Sequence, residues 1–225
     1  MNFLSHFYFD RHNIDPHIVL GTVLPDLVKN AKKEWNLHPE KKEALFTGAV
    51  EKSILTGWKR HLTVDRHFHN SAFFITHTKV IRTAIAPILV HSQVRPSFLA
   101  HIALEIMLDS ILLTNNIIDA DQLYDNLRRS DRPALTNFLK LNLMDDTAHF
   151  FKFFDKFLEI EYLGSYREAH HIMYALNRIC MRIWPDPLTD TEMLQLSAIL
   201  LGYHEELQKC YMEIFEEIDS VLVES

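Results

Sequence analysis

Two stretches of the chain place histidines and carboxylates at every fourth position: His61, Asp65 and His69 in RHLTVDRHFHN, and His101, Glu105 and Asp109 in AHIALEIMLDS. An α-helix turns every 3.6 residues, so positions four apart lie nearly above one another. Read as helices, both stretches become faces studded with imidazole and carboxylate. The residues between the rungs are Leu62, Val64 and Phe68 in the first, and Ile102, Leu104, Ile106, Met107 and Leu108 in the second, which is the composition of a buried helix. Polar groups in such surroundings need a partner, because an unpaired buried charge is expensive. A metal ion satisfies several at once; an ion-pair network between the two helices is the alternative. Positions eight apart drift by about 80° and 12 Å, so two neighbours on a ladder can clasp one ion, whereas all three rungs cannot.

The rest of the chain agrees with helices. Five glycines and eight prolines in 225 residues leave few breakers, and no segment alternates with period two. Hydrophobic residues make up 48%, enough for a sizeable core, and no linker or repeat interrupts the chain. The expectation is an all-α fold, a single helical domain over residues 1–225. Asp15 followed by Pro16 is a helix start that runs towards Pro25 and Asp26. The segment from about Pro39 to Asn70 reads as one or two helices, with Gly57 as a break. Further helices are expected over about 73–90, 96–113, 119–129, 148–162 and 166–183, with one long helix from Thr189 to about Leu222. The aromatic stripe Phe150, Phe151, Phe153, Phe154 and Phe157 reads as core.

Cys180 and Cys210 have no metal or redox spacing and suit a reducing compartment. The start MNFLSHFYFD lacks a basic n-region, and no apolar run is expected to reach the length of a membrane span, so the expected location is the cytoplasm. A net charge of -7 argues against non-specific nucleic-acid binding. The charge is uneven: between Lys29 and Arg60 eight Lys and Arg face four Glu, a local +4 that could receive an acidic partner or a phosphate. A solvated helix face accounts for the same run.

With MNFLSH (His6), GTVLPDL (Asp26), RHLTVDRHFH (His61, Asp65, His69) and LEIMLDS (Glu105, Asp109) in place, the chain resembles the acyl carrier protein phosphodiesterase family. Its members open with an MNFLAH-like segment, followed by G-N-L-x-x-D-F, L-H-R-x-I-D-x-F-T-D and D-I-x-x-D-H. The motifs cover residues 1 to 113. Beyond them YLGSY and the Arg178 to Arg182 region look similar to the family's late Tyr and Arg-rich helix.

The resemblance implies an all-helical fold like that of the HD-type metal phosphohydrolases. It also implies hydrolysis of the phosphodiester joining 4'-phosphopantetheine to a serine of acyl carrier protein, the carrier used in fatty acid biosynthesis. On this reading the ligands are His6, Asp26, His61, Asp65, Glu105 and Asp109, with His69 and His101 completing or supporting the shell. Asp65, His61 and Asp26 are the expected catalytic residues, and Lys29, Arg60 and Arg66 would bind phosphate or the acidic carrier. The ion is expected to be manganese, with iron(II), zinc or magnesium as alternatives.

The sequence departs from the pattern at Thr22 (family Asn), His67-Phe68-His69 (Phe-Thr-Asp), Glu105 (Asp) and Ser110 (His). A diverged metal-binding or partner-binding protein, or a hydrolase of another phosphoester, fits these changes. A helical di-metal oxidase would use Glu-x-x-His pairs, which these ladders lack.

Overall fold

In the computed structural model, which describes residues 1–224, helices follow one another with no β-strand among the described residues, so the expected all-α class holds. The chain divides into two compact units, Met1–Arg66 with Ile118–Gly164, and His67–Ile117 with the chain from Ser165 onward.

In the first unit, α1 (Phe3–Tyr8) packs on α2 (Pro16–Ala31). The Asp15 carboxylate accepts from the His17 amide and Pro16 fills N1, as read from the sequence. The helix does not stop at Pro25 but carries it inside and ends at Ala31. Two 3-10 turns, Pro39–Lys41 and Glu43–Leu45, lead to α3 (Ala49–Asn70). The unit is completed by α6 (Ala120–Arg128), α7 (Arg132–Leu141) and α8 (Thr147–Ile160), each started by an aspartate cap, Asp119, Asp131 or Asp146. Helices α6 and α8 pack on α2, and Phe150, Phe154 and Phe157 are buried, so the stripe is core.

Gly57 does not break α3, which runs unbroken through it. Its reason for being glycine is the neighbouring helix. A Cβ on Gly57 would lie 2.1 Å from the Ile18 carbonyl oxygen, and one on Gly21 would lie 2.1 Å from that of Ile54. The two glycines therefore let the backbones of α2 and α3 approach more closely than any side chain permits.

In the second unit, α4 (Ala72–Ile85), capped by Ser71, lies against α5 (Pro96–Thr114), which also meets α9 (His171–Cys180) and α10 (Asp190–Leu207). The long terminal helix expected from the sequence is two, α10 and α11 (Met212–Glu224), separated by a tight turn in which Cys210 and Tyr211 bond back to the Leu207 carbonyl. α5 also corrects an expectation. By length and composition it is long and apolar enough to cross a membrane, because Glu105 and Asp109 are its only Asp, Glu, Lys or Arg residues; 67% of its most apolar window is buried inside the structure.

The last turn of α3 belongs to the second unit, since the division falls between Arg66 and His67. The first ladder is thereby split: His61 and Asp65 fall in one unit and His69 in the other.

Candidate metal centres

In the first unit, His6 from α1 meets His61 and Asp65 from α3, one ligand atom from each lying within 4.8 Å of the others. The close crossing of α2 and α3 sets this up. It brings the Thr22 carbonyl within 2.9 Å of His61 Nδ1, which donates to it. With Nδ1–H committed to the main chain, the His61 lone pair sits on Nε2, the arrangement by which a second hydrogen bond orients a metal-binding histidine. Burial, and then the neighbouring His6, hold the His61 pKa well below 6.5, so the ring is neutral, as a ligand must be.

The two imidazoles stack, with centroids 3.8 Å apart and planes 18° from parallel. Asp65 Oδ1 lies 3.7 Å from His6 Nε2 and accepts a 2.7 Å hydrogen bond from the Met1 amino group. Burial opposes ionisation of Asp65. The hydrogen bond from His6 and the charge of the Met1 amino group outweigh it and hold the carboxyl well below the usual carboxylate range. Below this group, the Thr22 hydroxyl donates to buried Asp10 at 2.5 Å, and Arg60 pairs with the other Asp10 oxygen.

The second unit holds a tighter group. His69 Nε2 and His101 Nε2 are 3.0 Å apart, and Glu105 Oε1 lies 3.3 Å from the first and 2.9 Å from the second. A triangle with these sides has a circumradius of about 1.8 Å. A point about 2.1 Å from all three atoms therefore exists about 1.1 Å off their plane, at the usual reach of nitrogen and oxygen ligands to a small divalent ion. Protons alone can serve two edges of this triangle, with both ring nitrogens donating to Glu105, but they then leave two N–H donors side by side with their nitrogens 3.0 Å apart. A cation satisfies all three atoms at once. Burial opposes ionisation of Glu105, but the hydrogen bonds from His101 and His69 are among the interactions that keep its carboxyl below the usual range. Phe74 meets both imidazoles edge-to-face, with centroids 5.0 Å apart in each pair.

The structure thus gathers five of the six expected rungs and His6 into two groups of three, one per unit. Asp26 and Asp109 belong to neither group. Asp109 is fully buried on α5, eight residues past His101 and so carried about 12 Å along the helix. Asp26 lies one turn of α2 beyond Thr22, the residue that receives His61.

Of the expected phosphate binders, Lys29 and Arg66 are exposed, whereas Arg60 is committed to Asp10. Asp10 carried no signal in the sequence beyond being an acid among aromatics. His170 and His171 join neither group: His171 bonds the Ser165 carbonyl and His170 lies near Glu168. Ser110 is buried beside His204 of α10, Oγ to Nε2 3.2 Å.

Comparison of the chain with protein-family models, with curated proteins and with solved structures finds no match.

Proposed function

We propose that this chain is a metal-dependent phosphodiester hydrolase. The observation that carries the reading is the triangle of His69, His101 and Glu105 atoms, whose edges of 2.9 to 3.3 Å suit the coordination shell of a small divalent ion. His6, His61 and Asp65 form a second candidate ligand set, with the neutral His61 already oriented by Thr22. Mixed nitrogen and oxygen donors suit manganese, iron(II) or zinc better than calcium. A divalent ion, when bound, supplies Lewis acidity towards phosphoryl oxygens and makes water a better nucleophile at neutral pH. The chain's own part is to orient: the His61 proton stays on Nδ1 against the Thr22 carbonyl, and the Asp65 and Glu105 carboxyls are both held below the usual carboxylate range.

For the substrate, the motif resemblance supports the phosphopantetheinyl diester of acyl carrier protein. The local excess of Lys and Arg between Lys29 and Arg60 gives an acidic carrier a face of opposite charge. A second reading, a protein that holds metal without turnover, draws on Ser110, which is buried against His204 where the resembled pattern has a histidine.

Metal analysis of the purified full chain, with bis-p-nitrophenyl phosphate and phosphopantetheinylated acyl carrier protein assayed in manganese, tests the proposal. Manganese-dependent turnover is expected, falling by at least about tenfold to a hundredfold in Glu105→Gln, the loss seen when even the residues that support metal ligands are removed. Bound metal without turnover favours the second reading. Neither metal nor turnover overturns both.

A further inference from the structure

Beside the tighter ligand group lies a cavity of about 340 Å³, within the size range of small-molecule sites. Its walls come from one face of α4 and the start of α5. Phe74, Thr78 and Arg82 follow one another at four-residue spacing on α4, with Lys79 and the exposed Ile75 alongside, and Ser97 and His101 are one turn apart on α5. Among the lining residues are two cations and no carboxylate, in a chain whose net charge is -7.

His101 joins this cavity to the ligand triangle. Its side chain, 42% exposed, lines the cavity while its Nε2 lies 2.9 Å from Glu105 Oε1. Phe74 bridges the two in the same way, lining the cavity with its ring against both histidines.

We propose that this cavity is an anion site for the phosphoryl group of an organic phosphoester, with Lys79 and Arg82 holding the phosphoryl oxygens and Phe74 and Ile75 covering an apolar substituent. Lys79 and Arg82 are three apart on α4 and so share a face, which lets one phosphoryl group meet an ammonium and a guanidinium together. Ser97 and Thr78 add hydroxyls able to donate to remaining oxygens. The amphiphilic wall selects an esterified phosphate over the inorganic ion. That the bound ester is then the hydrolysed substrate rests on the hydrolase reading above; the binding itself does not.

The test is equilibrium binding of two probes, inorganic phosphate and bis-p-nitrophenyl phosphate, to the chelator-treated full chain at fixed ionic strength, followed by ³¹P NMR. The wild-type chain is expected to bind both, the ester more tightly. Lys79→Gln with Arg82→Gln should weaken both by at least about tenfold, while the exposed control Lys140→Gln leaves both unchanged. Ile75→Ser should weaken only the ester. All of these positions are solvent-exposed, so the variants should fold, and an unchanged far-UV spectrum and unchanged metal content check that they do.

The inference is overturned if the wild-type chain binds neither probe, if the double variant binds as well as wild type, or if Lys140→Gln is equally damaging. Turnover that persists with unchanged KM in the double variant also removes the cavity from the reaction and leaves the hydrolase reading standing. Probe binding that depends on Lys79 and Arg82 without any turnover does the reverse.

Discussion

His204 shows how burial alone makes a side chain sensitive to pH. It is 4% exposed, bonded to Ser110, and held below the ordinary histidine value of 6.5 chiefly by burial, with Glu205 pulling weakly the other way. As pH falls through 6.5 the unfolded chain takes up this proton and the folded chain does not, so stability rises with pH across that window and is lost on acidification. The slope is at most about 1.4 kcal/mol per pH unit for one such histidine. Denaturant unfolding in chelator at pH 5.5 and 7.5 should therefore show a lower unfolding free energy at the acid end, and His204→Gln should make the difference smaller. An unchanged difference in the variant would remove His204 as its source. No sequence signal marks this residue, because its burial depends on α10 meeting α5, a pairing of residues more than ninety positions apart.

At the scale of elements, helix starts marked by a cap or a first-turn proline were legible, whereas α3 and α9 start later than expected, at Ala49 and His171, and helix interruptions were not legible. Asp15-Pro16, Arg95-Pro96 and Thr189 announce α2, α5 and α10 through caps and first-turn prolines, which are local chemistry. Pro25 and Gly57 read as stops by the same local rules, yet both sit inside helices, and for Gly57 the cause is a backbone from another helix. The turn between α10 and α11 has no Gly or Pro to announce it, and α7 was not expected at all. The ladders themselves were visible because four-residue spacing is local. Their partition was not, since it depends on which helix faces each rung.

The α2–α3 crossing gives the element-scale prediction. Gly57→Ala should cost about 1–3 kcal/mol, the range for overpacking a close contact. It should also lengthen the His61 to Thr22 hydrogen bond and so move the His61 ring resonances in a ¹⁵N NMR spectrum. Equal stability and unchanged resonances in the variant would show that the crossing has room to spare.

For the whole molecule, the sequence offered six candidate ligands with room for one ion or two, and the structure gathers candidate ligands into two groups of three, each within one unit. The difference has a direct count attached. Equilibrium dialysis against manganese should load two ions per chain, with Asp65→Asn and Glu105→Gln each removing one and the double variant removing both. Loss of all metal in either single variant would mean that the ligands act as one site. Charge is divided along the same line: the Lys29 to Arg60 run belongs to the first unit, and the cation-lined cavity next to His101 to the second.

The Thr22 carbonyl that receives His61 has a consequence for how this chain tolerates change. A carbonyl is the same whatever side chain its residue carries, so a change of side chain at position 22 leaves the acceptor of the His61 proton in place. Substitution at 22 can disturb the Asp10 network through the lost hydroxyl, but it cannot delete the acceptor. The positions that can move it are Gly21 and Gly57, where an added Cβ would push the two helices apart. A change at either of two glycines would therefore act on the imidazole's hydrogen bond through the helix crossing, while a change at the residue that receives it would leave the acceptor in place.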